Sequence, residues 1–353
     1  MAVKLVTTGA DLRGVIVGAG FFAAFQAEAW RRIPGVRIVA VADIDRARAQ
    51  AFADQWEIPT AYGDAGDMLA GERPDFVDIV TRPESHLALA TLAAEHGAHV
   101  ICQKPLAPSW DLSVAVVSVC AARGVRCLVH ENWRFQPWYR ACRRLIDENM
   151  LGRIFYLGFC MRTGDGRGPA PYAAQPYFRE MQRFLVYETG VHFLDTARYL
   201  AGNIDSVYCR TRRLNSGIRG EDFAIIQVAF AGGVEGLIDA NRIAGPVPSD
   251  LAMATLRIDG DRGTLRTTGD GRLWLTEYGE PERPYIYDIP MQGYRCDSVK
   301  ATQEHLAAAL RSGARAETEG HDYLATVAAM FACYESADTG LPVVPRKPPR
   351  IAA

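Results

Sequence analysis

Lysine is nearly missing from this chain. Of 39 basic residues only four are lysine, and between Lys4 and Lys300 there is one, Lys104. Also absent is any apolar run near the length of a membrane span, and the stretch from Met1 to Arg13 has no signal-peptide core. The eight cysteines form no CxxC pair and no zinc-ligand spacing, so they read as reduced core thiols of a cytoplasmic protein rather than a disulfide frame or a metal site. A net charge of -2 gives no reason to expect nucleic acid or an anionic membrane as partner. No repeat or long low-complexity segment interrupts the 353 residues, a length that suggests about two domains.

What is present begins with a turn. Gly18-Ala19-Gly20 follows the apolar run Val15-Ile16-Val17 and precedes a helical stretch opened by Phe21 and Phe22. The next apolar run, Val36 to Ala42, closes on Asp43. Strand, glycine turn, helix, strand and acid make the unit that cradles a dinucleotide: the glycines admit a pyrophosphate, and the helix start offers free N–H groups. The third glycine of the usual pattern is Ala23, which sets the helix slightly farther from the strand. A carboxylate at Asp43 accepts ribose hydroxyls and repels a 2′-phosphate, so NAD is the expected cofactor. Arg46 and Arg48 could soften that preference, although a solvated helix face is the plainer reading of both.

Through residue 130, strands near 13–17, 36–42, 76–80, 98–102 and 125–129 alternate with helices near 22–32, 45–56, 64–71, 85–96 and 109–123. This predicts a parallel sheet of the doubly wound Rossmann type, covered on both faces. Ligands bind beyond the carboxyl ends of such strands. Those ends carry Thr81 to His86, Gln103-Lys104-Pro105 and His130 to Arg134. After Pro137 come a helix to about 149, a strand at 153–162, a Gly/Pro-rich loop and a helix at about 187–201. Alternating strands at 205–214, 222–231, 234–243, 252–259, 263–268, 272–276 and 284–289 follow, then helices at 296–312 and 321–338. The second half is thus an α+β domain with a mainly antiparallel sheet, and the expected division is 1–135 and 136–353.

Two groups suit acid/base chemistry. Lys104 stands at a sheet edge before a proline that cannot extend the strand, and a cationic nicotinamide nearby would loosen its proton. Glu188 and His192, four apart on a helix, share a face, with Asp195 three further on. A carboxylate beside an imidazole raises its basicity, which fits a base that takes a hydroxyl proton; Tyr187 is the next candidate. No third ligand at useful spacing supports a metal, and none is expected.

Gly-x-Gly before a helix, Thr81-x-Pro83-x-x-His86, Gln103-Lys104-Pro105, Arg134-Phe135-x-Pro137 and Gly190-x-His192-x-x-Asp195 together resemble the glucose–fructose oxidoreductase / inositol dehydrogenase / rhizopine-catabolism (Gfo/Idh/MocA) family, from about residue 13 to 340. The resemblance implies a Rossmann domain, an open-faced sheet that packs into homodimers or homotetramers, and NAD(P)-dependent oxidation of sugars or cyclitols. It implies NAD contacts from Gly18, Gly20, Phe21, Phe22, Asp43, Arg48, Thr81, Pro83, His86, Gln103, Lys104 and Asn132. It also implies catalytic roles for Lys104, His192 and Glu188, the last two standing for the family's D-x-x-x-H pair. Sugar contacts are expected from Lys104, Asn132, Arg162, Asp165, Glu188 and His192. Two positions depart from the pattern: Gln103 replaces a glutamate and Glu188 an aspartate. The wider wording, with Ile101-Cys102-Gln103-Lys104-Pro105 and Glu188-Thr189-Gly190-Val191-His192-Phe193, is most similar to the branch of D-apiose dehydrogenases.

The expected activity is therefore oxidation of an aldose, such as the pentose D-apiose, at C1 to the aldonolactone. Rival readings are an inositol or polyol dehydrogenase, a redox-neutral epimerase or glycosidase that recycles NAD, and a non-catalytic NAD-binding regulator. Free NADH separates the first pair from the others, and a silent regulator has no use for Lys104 or His192.

Overall fold

In a computed structural model, residues 11–168, 170–173, 175–245 and 251–351 are described. Their contacts define two compact units. The first comprises residues up to Phe135, Met291–Val327 and the segment from Pro348; the second comprises Gln136–Pro290 and Ala328–Lys347.

In the first unit β1 (Leu12–Val17), β2 (Val36–Ala42), β3 (Thr60–Tyr62), β4 (Phe76–Ile79), β5 (His99–Gln103) and β6 (Cys127–His130) form one sheet in the order β3-β2-β1-β4-β5-β6, every pair parallel. Helices α1 (Phe21–Arg31), α2 (Arg46–Trp56), α3 (Ala65–Glu72), α4 (His86–Glu95) and α5 (Trp110–Ala122) connect them. The strands are apolar runs because they are buried on both faces. The edge strand β3 escapes sequence reading, being only three residues long. Helix starts follow local chemistry: Asp45 accepts from Ala47 and Arg48 N–H at 3.1 Å each, and Ser109 accepts from Leu112 N–H at 3.2 Å.

The division expected from sequence, with one domain running over 136–353, is corrected at residues 291–327. Helix α8 (Ser298–Ser312) buries Leu306, Ala307 and Leu310 in the same core as Ala23, Ala27 and Trp30. Its last turn and the segment after it are clamped by Arg126, which reaches the carbonyls of Ala309 (2.6 Å) and Ala314 (2.9 Å) and the Glu319 carboxylate (2.6 Å). Sequence distance hides such packing.

The second unit contains α6 (Pro137–Asp147), α7 (Val191–Ala201) and an eight-stranded sheet: β7 (Ile154–Arg162), β8 (Ile204–Arg212), β9 (Phe223–Phe230), β10 (Glu235–Asn241), β11 (Ala254–Gly260), β12 (Gly263–Thr267), β13 (Leu273–Glu277) and β14 (Arg283–Tyr285). The order is β14-β13-β12-β11-β7-β10-β9-β8, antiparallel except for the parallel pair β7–β10. One sheet face is buried through Leu157, Phe159, Met161, Ile226, Val228 and Ile238, with Phe159 against Phe193 of α7 at 5.1 Å between rings. The opposite face carries Ile225, exposed between the buried Ala224 and Ile226 of β9. Helix α9 (Gly320–Thr339) contributes residues to both units.

One local difference matters for the site. The helix expected over 187–201 opens instead as a π-helical turn, Leu185–Gly190, before α7. The Glu221 carboxylate takes the N–H groups of Phe184 (3.1 Å) and Val186 (3.0 Å), which satisfies donors at the start of the wide turn. Glu221 itself accepts from Tyr334 Oη at 2.6 Å.

Candidate active site

The glycine turn has the shape a pyrophosphate needs. Gly18 holds φ +101°, and a Cβ there would lie 2.5 Å from the Val80 carbonyl, so only glycine lets β1 and β4 end this close. Gly20 is exposed, and a Cβ on it would meet nothing within 4 Å. It caps α1 without a side-chain hydrogen bond, leaving the first helical N–H groups to a ligand. Phe21 is exposed, whereas Phe22 turns inward against Phe25 and Tyr294.

Asp43 is bolted to this turn. One carboxylate oxygen accepts from Ala19 N–H at 2.9 Å; the other accepts from Asp45 N–H at 2.9 Å and Arg48 Nη2 at 2.6 Å. Burial alone would raise its pKa, but Arg48 and the two N–H donors outweigh this and hold the carboxyl below the usual range. Arg48 keeps the exposure of a solvated helix face, and it also pairs with Asp43 and offsets part of its charge. The open glycine cradle, the uncapped helix start and the ionised acid at the end of β2 fit a bound NAD.

The other strand ends divide into exposed and internal groups. Thr81 and Pro83 are partly exposed beside the glycine turn, and Thr81 Oγ1 lies 2.7 Å from Ser85 Oγ. His86, expected to touch the cofactor, is instead wholly buried: its ring nitrogens face the carbonyls of Leu106 (3.0 Å) and Thr81 (3.2 Å). It pins two loops, and burial pushes its pKa down against the pull of those carbonyls. Gln103 is also internal. Its Oε1 accepts from the Lys104 N–H (3.0 Å), and its Nε2 reaches Gln26 Oε1 (3.4 Å) and His130 Nδ1 (3.2 Å). Gln26 in turn donates to both oxygens of Asp78, which also accepts from Trp30 Nε1 at 2.7 Å. Burial pushes Asp78 up to about 7 although both donors favour its ionised form. A neutral Gln103 thus replaces the family's acid at the end of a network that already contains one buried carboxyl.

Lys104 is partly buried at the end of β5, and its charge acts on Glu131, a fully buried acid that sequence reading passed over. Burial raises the Glu131 pKa; Trp133 N–H, Lys104, Tyr323 Oη and Arg134 oppose that rise. Asn132 is buried with its amide nitrogen on Ser298 Oγ at 2.9 Å, so that donor serves the fold.

In the second unit His192 lies in the first turn of α7, buried, with Asp195 fully buried one turn on. Glu188 and Tyr187 belong to the π-helical turn, and Tyr187 N–H donates to Tyr334 Oη at 3.0 Å. Glu188 Oε2 accepts from Thr189 Oγ1 at 2.6 Å and lies 3.3 Å from Arg242 Nη2. Arg242 also holds Asp165, Nη1 to Oδ2 at 2.5 Å. The structure therefore brings Asp165 and Glu188 to one guanidinium. It does not bring Arg162 there. Met161 faces the buried side of the sheet, so Arg162, next along β7, takes the opposite face and ion-pairs with Asp239, which corrects its place among the sugar contacts.

Sequence reading missed Arg242 and Glu221 as well as Glu131. A signal for Arg242 was available: Gly236, Ile238 and Ala240 are buried at alternate positions, and the same parity carries an arginine inward. Among the described residues no group of three or more His, Cys, Asp or Glu side chains could hold a metal, and no helix is long and apolar enough to cross a membrane. All eight cysteines are free thiols.

Comparison with known proteins agrees with this geometry. Residues 12–131 match the Gfo/Idh/MocA oxidoreductase family model for an NAD-binding Rossmann fold, and residues 139–266 match a Gfo/Idh/MocA C-terminal domain. The chain is 35% identical over 341 residues to a D-apiose dehydrogenase of Paraburkholderia graminis, covering 95% of this chain and 90% of that one. It is 34% identical over 337 residues to a D-apiose dehydrogenase of Rhizobium rhizogenes, covering 94% and 96%. Among solved structures, an oxidoreductase from Agrobacterium radiobacter in complex with NAD+, L-tartaric acid and magnesium superposes with a TM-score of 0.89 at 33% identity, covering 95% and 98%.

Proposed function

Because this chain belongs to the Gfo/Idh/MocA family of NAD-binding oxidoreductases, we propose that it oxidises an aldose, a pentose such as D-apiose, at C1 to the aldonolactone. The observation that carries this reading is likeness to two D-apiose dehydrogenases over nearly the whole of both chains.

Bound NAD supplies the acceptor for the hydride that leaves the oxidised carbon. The residues of the chain do the rest. The N–H groups at the start of α1 bind the pyrophosphate, and the lone pairs of Asp43 left over from its internal bonds take the ribose hydroxyls. His192 accepts the C1 hydroxyl proton on a ring nitrogen, and Lys104 donates a hydrogen bond to the reacting oxygen. Glu188 accepts from a neighbouring sugar hydroxyl, and Asp165 offers a second acceptor. A small sugar is the partner of this reading, with neither nucleic acid nor membrane involved. The exposed sheet face around Ile225 is where homodimers or homotetramers would form, and a cytoplasmic setting suits eight free thiols.

The test is a panel of pentoses, hexoses and cyclitols with NAD and NADP, read as absorbance of the reduced cofactor. D-apiose and other pentoses should exceed myo-inositol in kcat/KM, because the longer Glu188 side chain leaves less room for a six-membered cyclitol. A preference for myo-inositol would return the enzyme to the polyol dehydrogenases. Sugar turnover without free NADH would favour a redox-neutral reaction, and no turnover at all would favour a silent regulator.

A further inference from the structure

Arg242 has a setting that surface arginines lack. Its side chain is only 4% exposed, and its guanidinium sits over three rings, 4.9 Å from the centroid of Phe184, 5.1 Å from Phe178 and 5.8 Å from Tyr172. These rings, with Ile218 and Met181, form a small apolar cluster of their own, supplied largely by the segment that follows β7. A cation inside such a cluster is stable only if anions and acceptors meet it, and both arms of the fork are met. Nη1 binds Asp165 at 2.5 Å, and the other oxygen of Asp165 accepts from Thr163 Oγ1. Nη2 donates to Thr189 Oγ1 at 2.6 Å, Thr189 Oγ1 donates to Glu188 Oε2 at 2.6 Å, and Nη2 itself is 3.3 Å from that oxygen. The backbone adds to the tie, since the Arg242 carbonyl accepts from Gly166 N–H at 2.9 Å and its N–H donates to the Asp222 carbonyl at 3.0 Å.

One side chain thus joins the loop bearing Asp165 to the π-helical turn bearing Glu188. We infer that Arg242 is a positioning residue that fixes the orientation of Glu188 and Asp165 toward a sugar. The inference rests on the proposed function in taking Glu188 as a sugar contact. A planar fork is needed, because an ammonium group at the same place cannot span two partners on opposite sides. Without Arg242 the two carboxylates would lose their shared counter-charge, and Glu188 would be free to leave the orientation Thr189 gives it.

The experiment is a double-mutant cycle of Arg242→Gln and Glu188→Gln, run on whichever panel substrate the wild type oxidises fastest. A winner that is not a pentose then removes the pentose reading while leaving this test intact. Each single change should raise KM for the substrate about tenfold or more with kcat changed less than about threefold, and the double variant should be no worse than about twofold beyond the weaker single one. NADH affinity, followed by its fluorescence, should stay at the wild-type value. If Arg242→Gln does not fold, Arg242→Lys replaces it and should still raise KM, for want of the fork. If no panel member turns over, the Kd of D-apiose for the NADH-loaded variants, measured by calorimetry, takes the place of KM. Multiplying effects in the double variant, or a lowered Tm with wild-type KM or Kd in either Arg242 variant, would overturn the inference.

Discussion

Asp78 lies wholly inside the first unit, with Gln26 donating to both carboxylate oxygens and Trp30 to one, and no cation among those partners. Replacing it by its neutral isostere, Asp78→Asn, tests how much that buried acid costs the fold. Burial lifts its pKa from the ordinary 3.8 to about 7. The folded protein therefore holds a proton here that the unfolded chain has already lost between about pH 4 and pH 7. Stability falls with rising pH wherever the folded state binds more protons, so this residue's contribution is complete below about pH 4 and gone above about pH 7. At about 1.36 kcal/mol per pH unit the whole span amounts to about 4 kcal/mol, and the part between pH 5 and 8 to about 2–3 kcal/mol. The variant escapes that loss. It incurs instead a rearranged hydrogen bond with Gln26, about 1 kcal/mol at every pH. Urea unfolding of both proteins at pH 5, 6, 7 and 8 should show the variant gaining on the wild type by about 2–3 kcal/mol across the range and levelling off above pH 7. In melting temperature the gain is roughly 3–4 °C for a chain of 353 residues. Other titrating groups act alike in both proteins and cancel in the difference. A difference between the two proteins that does not change with pH would refute the reasoning, since Asp78 would then be ionised throughout.

Further outcomes are expected at the site and in the core. NAD should be preferred over NADP by at least about tenfold in kcat/KM, near 1.4 kcal/mol, and Arg48→Ala should widen the gap by leaving Asp43 unneutralised; equal use of both cofactors would remove Asp43 from the ribose. Lys104→Ala and His192→Ala should each lower kcat by about 10²–10⁴-fold, and near-normal kcat in His192→Ala would make the histidine structural and turn attention to Tyr187. Arg126→Ala should destabilise the protein by about 3–5 kcal/mol in urea unfolding, because it leaves Glu319 and two carbonyls unmet in a largely buried place; a loss below about 1 kcal/mol would contradict the clamp. His86 has a folded pKa below the ordinary 6.5, so its neutral form supports the fold above that pH and support is lost as pH falls through the interval below it; His86→Gln should flatten this acid-side loss in thermal melts.

The sequence by itself determined the alternation of the first half, the glycine turn with its acid, and the position of Lys104 and His192, because each depends on spacing along the chain. Period-two and period-3.6 patterns report which face of an element is buried, and a turn that needs φ above zero announces itself as glycine at Gly18. Only the tertiary structure decided what depends on neighbours far apart in sequence. The anchoring of Asp43 to the glycine turn joins it to Ala19 N–H, twenty-four residues away. The burial of His86 and Gln103 beneath the strand ends separates residues that line a motif from residues that hold it in place. The return of 291–327 to the first unit comes from an apolar helix face finding a core laid down nearly three hundred residues earlier, and the π-helical turn comes from Glu221 and Arg242 gripping residues 184–189 from other strands and loops. Backbone periodicity carries no record of such grips, since they are made by single side chains whose partners are chosen by the folded surface rather than by distance along the chain.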